Sequence, residues 1–353
     1  MTSSTFYLKY RPQKIAQLDL KDIREQLAKI LSSSRIPHAF LFSGPKGLGK
    51  TSAARIIAKA VNCLKNSVSQ IEPCNKCEIC QSITKGTCLD LIEIDAASNR
   101  GIDDIRELRE RIKLAPSKAR KKVYVIDEVH MLTPEAFNAL LKTLEEPPAH
   151  ALFILCTTEI HKLPQTIISR CLRFNFRIPS IKELVRSLTR VKKGEKLILE
   201  DQVLEEIARY AGGSFRDATK NLEMLVSMYG KRITLRQTKE FFSRETVLLG
   251  DFLKWLAQKD TTKALMWLEK AMKKGVDLKI LTQAVLEQLR KILLMKYISS
   301  DKEIKDYGLE TDKIKKLIWL FDQAGRELKG AVLPQLPLEL AIVEWCEGGE
   351  GDV

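Results

Sequence analysis

Apolar residues at Leu20, Ile23, Leu27, Ile30 and Leu31 fall on one face of a helix. A short unbroken run, His38–Ser43, then reads as a buried strand. The pattern continues with a helix through Ala53–Val61, a strand over Leu89–Asp95, and an amphipathic helix marked by Ile102, Ile105, Leu108 and Ile112. Val123–Ile126 and Ala151–Thr157 read as fully buried strands, and between them Pro134–Glu145 reads as a helix that opens on proline. Short all-apolar strands separated by helices predict a parallel sheet covered on both faces, an α/β domain.

After Phe176 the strand signals stop. Ile178-Pro179-Ser180 reads as a linker, and helices are predicted at about 180–193, 201–211, 214–229 and 235–242, punctuated by Gly212-Gly213 and Gly230. From about Glu245 the helical runs lengthen: Phe252–Gln258, Lys263–Lys273, Leu278–Ile298, Asp312–Glu327 and Pro337–Trp345. The expected division is 1–177, 178–243 and 244–346, with a disordered Gly/Glu tail at 347–353. No internal repeat of 20–50 residues is visible.

The length of 353 residues agrees with two or three domains, and 44% hydrophobic residues suffice to build their cores. No apolar run approaches the roughly 18–20 residues that cross a bilayer. The N-terminal Met1–Pro12 has no apolar core of a secretory signal. A cytoplasmic protein without a membrane partner is therefore expected. The net charge of +14 favours a polyanionic partner, without naming one.

The sharpest chemical signal is Gly44-Pro45-Lys46-Gly47-Leu48-Gly49-Lys50-Thr51, followed by Ser52, placed between a strand and a helix. Glycines there let backbone N–H groups curl around a β-phosphate, and the helix N-terminus adds partial positive charge. Lys50 is expected to reach the β/γ-phosphates and Thr51 to ligate Mg²⁺. Val123–Asp127 then delivers Asp127 and Glu128 at the end of a buried strand. Alone, such a pair is an ordinary helix-capping feature. Beside the phosphate loop it reads as a Mg²⁺ holder, Asp127, and an orienter of attacking water, Glu128. His130 is expected to pack rather than react.

Eight cysteines fall at 63, 74, 77, 80, 88, 156, 171 and 346. Cys74, Cys77 and Cys80 are too tightly spaced for separate disulfides and point to a metal in a reducing compartment. Tetrahedral zinc needs a fourth ligand, and local spacing leaves Cys63 and Cys88 both open. Zinc is favoured over an iron–sulfur cluster because nothing else suggests redox chemistry. The metal reads as a structural staple for an insert at about 63–88. Cys156 and Cys171 read as buried thiols.

Several phrases together resemble the gamma/tau subunit family of the bacterial DNA polymerase III clamp loader. They are Tyr10-Arg11-Pro12, the phosphate loop and its cysteine insert, Glu93–Ser98, Asp127–Met131, Phe137–Pro148, Lys162–Pro164, Ser169–Cys171 and Gly213–Ala218, and the similarity spans about residues 7–345. The resemblance implies an AAA+ ATPase domain, a small helical lid and an all-α collar that holds a ring together. It implies that Tyr10, Arg11 and Pro12 contact the nucleotide and that Arg170 is an arginine finger acting on the neighbouring subunit's ATP. Arg216 resembles the lid's nucleotide sensor, and Thr157 or Thr158 the sensor of the first domain. The family's zinc ligands fall at Cys63, Cys74, Cys77 and Cys80. Implied partners are further copies of the chain, delta and delta-prime subunits, the beta sliding clamp and primer-template DNA, for which Arg100 and Lys142 are candidate contacts. The basic run Lys118–Lys122 is expected to be a solvated turn.

The segment Lys14–Lys21 departs from the family's usual Phe-Asp-Glu-Leu/Val-Val-Gly-Gln, in a region that helps form the adenine pocket. The long form of the family adds C-terminal domains that bind polymerase and helicase, activities not expected here, and no polymerase active site is expected either. Two other readings compete. A non-hydrolysing scaffold of the same ring generally has a degraded phosphate loop, whereas Lys50, Thr51, Asp127 and Glu128 are all present. Another AAA+ DNA-processing ATPase should lack the four-cysteine insert.

Overall fold

The structure, a computed structural model, describes residues 5–33, 35–65, 71–99, 101, 108, 110–273, 276–297, 307–328 and 330–348, with 243–248 and 280 as backbone only. Arg100, Ile102, Ile105, Ile298 and residues 349–353 of the expected tail lie outside it. The chain divides into two compact units, Met1–Lys239 and Glu240–Val353.

The first unit is built on five parallel strands: β1 (Ala39–Ser43), β2 (Leu91–Asp95), β3 (Lys122–Asp127), β4 (Ala151–Thr157) and β5 (Leu172–Asn175). Their order across the sheet is β2-β3-β4-β1-β5. The predicted α/β class, a parallel sheet between helices, is thus observed, with the phosphate loop after the strand β1 and the acidic pair after β3. The middle strands read as continuous apolar runs because both faces are covered. Successive side chains alternate between two cores. Phe40, Phe42, Val123, Val125 and Ile154 meet the helices Lys21–Leu31 and Lys50–Asn62 on one face. Leu41, Tyr124, Ile126, Phe153 and Leu155 meet the helix Pro134–Glu145 on the other. Full burial of each such phenylalanine contributes roughly 1.5–3 kcal/mol.

Strand β5 has no counterpart among the predicted elements. It is an edge strand of four residues in which only Phe174 is buried, so no apolar run announces it. Behind it come the helices Ile181–Glu195, Asp201–Tyr210 and Phe215–Tyr229, still within the first unit. Ser180 starts the first of these through a capping box: its hydroxyl accepts from the Glu183 N–H, and the Glu183 carboxylate accepts from the Ser180 N–H at 2.9 Å. Leu184, Leu188, Val203, Ile207, Leu222 and Leu225 are buried on these helices.

Among the described residues, the regular elements of the second unit are helices, with Thr261–Lys273, Leu278–Met295, Thr311–Glu327 and Leu336–Glu347. The helices predicted at about 235–242 and Phe252–Gln258 are one helix, Leu235–Ala257. Gly250 lies inside it, and its cost of about 1 kcal/mol relative to alanine does not break the helix. Phe252 stacks on Trp267 at 4.5 Å, and the Trp345 indole N–H donates to the Leu256 carbonyl at 2.7 Å. Among the described residues, no helix is long and apolar enough to cross a membrane.

Candidate functional site

Ligands of open parallel sheets sit at the carboxyl ends of the strands. In the first unit that edge opens into a cleft of about 380 Å³. The loop Gly44–Gly49 lies between β1 and the helix beginning at Lys50, and its residues Lys46–Gly49 line the cleft. Two glycines are required by contact. A Cβ on Gly44 would lie 2.1 Å from the Phe176 carbonyl oxygen, and one on Gly47 2.1 Å from the Ser214 hydroxyl; both residues have positive φ. Lys50 is buried, and its ammonium donates to the carbonyls of Gly44 at 2.7 Å and Pro45 at 2.9 Å. Burial lowers its pKa, against which nearby negative groups, Glu128 and Asp127 among them, act to raise it.

The acidic pair meets the loop directly. The Thr51 hydroxyl donates to the Asp127 carboxylate at 2.8 Å, and Lys46, Leu48, Ser52, Asp127 and Glu128 all border the cleft. Hydroxyl plus carboxylate is the oxygen donor set that Mg²⁺ takes. Glu128 sits at φ +47, a left-handed backbone that costs a non-glycine residue roughly 1–2 kcal/mol. Its carboxylate accepts from the Thr158 hydroxyl at 2.9 Å. Thr157 is fully buried instead: its hydroxyl lies 3.0 Å from His130 Nδ1 and accepts the Glu159 N–H at 3.0 Å. Of the two threonines left open by the sequence, Thr158 is the one in contact with Glu128. His130 is buried, its side chain 5% exposed, but it does more than pack: Nδ1 also lies 3.6 Å from the Glu128 carboxylate and Nε2 lies 3.3 Å from that of Glu159.

The far walls carry the remaining residues. Tyr10, Arg11 and Pro12 border the cleft, as does Arg216 in the first turn of Phe215–Tyr229, with its guanidinium 5.7 Å from the Tyr7 ring centre. Burial, then the like charge of Arg55, lowers the Arg11 pKa. The Tyr10 hydroxyl donates to Glu195 at 2.8 Å. Leu18, Asp19 and Leu20, from the segment that departs from the family pattern, also line the cleft. Asp95, inside the phrase Glu93–Ser98 but given no site role from the sequence, borders the cleft beside Asp127 in the β2–β3 register. Its position at the carboxyl end of a strand was the available signal.

Arg170 does not border this cleft. Its guanidinium pairs with Glu145 and donates to the Thr166 carbonyl at 2.8 Å. Lys142 is exposed. The run Lys118–Lys122 is less solvated than expected. Lys118 is exposed and pairs with Glu78 at 2.7 Å, but Lys122 begins β3, is buried, and donates to the Arg111 carbonyl at 3.1 Å. The turn is pinned because Asp90 accepts the N–H groups of Ser117, Lys118 and Ala119 at 2.7–2.8 Å.

Cys63, at the C-terminal end of the helix Lys50–Asn62, joins Cys74, Cys77 and Cys80, with all four sulfurs within 4.8 Å of one another. Cys88 is not in the cluster. Zn–S bonds of about 2.3 Å in a tetrahedron put sulfurs about 3.8 Å apart, so the donor set fits zinc in number, softness and spacing. Asn75, at φ +56, turns the chain between the second and third ligands. Cys74 Sγ accepts the N–H groups of Lys76 and Cys77 at 3.4 and 3.3 Å. Burial raises the Cys74 pKa, but these bonds, together with those from the Cys63 and Cys77 thiols, outweigh it and bring the thiol to about 6. Cys156 is fully buried and Cys171 half-buried, with burial pushing the latter up to about 12.

A family model described as "DNA polymerase III, delta subunit" matches residues 20–180. The DNA polymerase III subunit tau of Bacillus subtilis is 38% identical over 98% of this chain, which spans 64% of that longer protein. The DNA polymerase III subunit gamma of Buchnera aphidicola from Acyrthosiphon pisum is 35% identical over 95% of this chain and 96% of its own length. The chain belongs to the gamma/tau subunit family of DNA polymerase III. Among solved structures, the Holliday junction branch migration motor RuvB of Thermotoga maritima aligns at a TM-score of 0.49 and 20% identity, over 65% of this chain and 71% of its own. In this gamma/tau family member, the phosphate loop, the acidic pair and the four cysteines therefore all lie within one unit.

Proposed function

We propose that the chain is an ATP-hydrolysing clamp-loader subunit. It acts in the cytoplasm with further copies of itself and with delta and delta-prime subunits, setting the beta sliding clamp on primer-template DNA. The observation that carries this reading is the 2.8 Å contact of Thr51 with Asp127, in a cleft that also holds Glu128 and the buried Lys50, in a gamma/tau chain.

Gly44–Ser52 present N–H groups to the phosphates, and Lys50 neutralises the β/γ charge. Thr51 and Asp127 hold Mg²⁺, which when bound neutralises charge on the transferring phosphoryl group. Glu128, oriented by Thr158, takes the proton of the attacking water. Thr158 fills the first-domain sensor role in place of Thr157. Arg216 senses the nucleotide from the segment 178–243, which serves as a lid, while Tyr10, Arg11 and Pro12 close the base end. Residues 244–346 serve as a collar between subunits, and Lys142 meets template phosphates. Cys63, Cys74, Cys77 and Cys80 hold a structural zinc.

Arg170 serves the neighbouring subunit's ATP, in keeping with its position outside its own chain's cleft. An arginine supplied across an interface is worth about 10³–10⁵ in rate. Its exposed pair with Glu145 contributes only about 0–1 kcal/mol to stability. Arg170→Ala should therefore fold and bind ATP normally while losing DNA-stimulated hydrolysis in the reconstituted complex. Unchanged hydrolysis there would refute the role.

A further inference from the structure

The stretch from Tyr10 to Leu20, which closes the base end of the cleft, is held from two sides. On one side stands the lid-forming helix Ile181–Glu195. Arg190 donates to the Gln17 carbonyl at 2.9 Å and to the Asp19 carboxylate at 2.6 Å, and Arg186 donates to the Ala16 carbonyl at 3.1 Å. On the other side stands the cysteine module. Glu72, two residues before Cys74, accepts the Ile15 N–H at 3.0 Å and the Ala16 N–H at 2.8 Å through its two oxygens. Those are N–H groups of the first residues of the 3-10 turn Ile15–Gln17, which lacks a side-chain cap of its own. Asn75, inside the Cys74–Cys77 loop, donates to the Gln13 carbonyl at 3.2 Å. Lys59 is fully buried and donates both to Gln13 Oε1 and, at 3.1 Å, to Asn75 Oδ1.

We infer that the cysteine module is a positioning device for the nucleotide site: Glu72, Asn75 and Lys59 hold the strap Arg11–Leu20 against the cleft, so that metal occupancy and nucleotide affinity are coupled. A structural staple alone needs no bonds outside its own insert. Here the insert donates to or accepts from Gln13, Ile15 and Ala16, and the strap continues directly into Leu18, Asp19 and Leu20 of the cleft wall. Lys59 ties the arrangement together. It lies on the helix that starts at the phosphate loop and ends at Cys63, and its ammonium bridges strap and metal loop. An ammonium without solvent access must keep such partners. With the four thiolates ligated, Glu72 and Asn75 are fixed in space. Without the metal, the loop carrying them loses that cross-link and the strap loses its fixed partners. Coupling of this kind is reciprocal by linkage: nucleotide should in turn tighten metal retention.

The inference rests on the cleft being a nucleotide site, and one titration separates the two claims. A fluorescent ADP is titrated into the full chain as wild type, as Glu72→Ala, as Asn75→Gly (which suits the positive φ), and as wild type stripped by a chelator; metal content and circular dichroism are measured on each. If the wild type binds no nucleotide, the proposed function fails before this inference is reached. The expected result is an affinity about tenfold weaker in both variants with metal content unchanged, equal to about 1.4 kcal/mol. The stripped wild type should be weakened at least as much, and stripping Glu72→Ala should add less than stripping the wild type. Addition of zinc should restore the wild type and not Glu72→Ala. Wild-type affinity in both variants, or unaltered affinity in folded, stripped protein, would overturn the coupling.

Discussion

Replacing Glu128 by glutamine removes the proposed proton acceptor while keeping its shape. The amide oxygen still accepts from the Thr158 hydroxyl, which now sits 2.9 Å from the carboxylate, and the backbone at φ +47 is as costly for glutamine as for glutamate. Folding and ATP binding should therefore be unaffected. A positioned general base contributes about 10²–10⁴ in rate, equal to about 2.7–5.4 kcal/mol of barrier. Thr158→Val leaves the carboxylate but removes its orienting bond, of a kind worth about 1.5–3 kcal/mol, so a smaller loss of about ten- to a hundredfold is expected. Thr157→Val is the control. Its hydroxyl serves His130 and the Glu159 N–H, so stability should fall by about 1–3 kcal/mol with little change in turnover per folded molecule. Single-turnover hydrolysis in the assembled complex, beside nucleotide affinity for each variant, reads all three. Hydrolysis by Glu128→Gln within threefold of wild type would refute the base role. Loss in Thr157→Val exceeding that in Thr158→Val would refute the choice of threonine.

Other expectations follow from the same geometry. Cys63→Ser should lose bound zinc by elemental analysis while Cys88→Ser retains it, since only the former belongs to the four-sulfur cluster. Asp90→Ala removes the buried acceptor of three backbone N–H groups and should cost about 3 kcal/mol in denaturant titration, less in Asp90→Asn, which keeps one oxygen. The Arg177 guanidinium holds Glu183 down to about 2 from an ordinary value of 4.5. A depressed carboxylate stabilises the fold above its unfolded pKa and loses that contribution as pH falls through the folded one. Stability should therefore fall between about pH 4.5 and 2, and Glu183→Gln should flatten that part of the melting-temperature profile.

What the chain disclosed of this fold follows from how its residues are buried. Strands β1, β3 and β4 are covered on both faces, so their apolar runs stand out, whereas β5 buries Phe174 alone and leaves no run to find. The sequence predicts separate helices at about 235–242 and Phe252–Gln258 where the backbone runs on as one helix, Leu235–Ala257, because the single Gly250 costs less than a helix of that length loses by ending. At the site, Gly44–Thr51 and Asp127-Glu128 were evident because their spacing is dictated by phosphate and metal geometry. The choice between Thr157 and Thr158 was not, since it depends on which hydroxyl His130 occupies. Cys63 and Cys88 are likewise indistinguishable by local spacing, and only the helix that ends at Cys63 brings one of them to the cluster. Glu72 and Lys59 gave no sequence signal at all, because their partners Ile15, Ala16 and Gln13 lie some fifty residues away in the chain.

The central claim, that the Gly44–Thr51 cradle and its facing carboxylates form an ATP site that drives the subunit, is tested most directly by equilibrium titration of Mg-ATP. The purified chain and its assembled complex are compared with Lys50→Ala and Thr51→Ala forms of each. One nucleotide bound per chain is expected for the wild type, with Lys50→Ala weakened by at least an order of magnitude and Thr51→Ala losing the Mg²⁺ dependence. Wild-type chain that takes up no nucleotide even within the complex, or binding indifferent to both substitutions, would contradict the account.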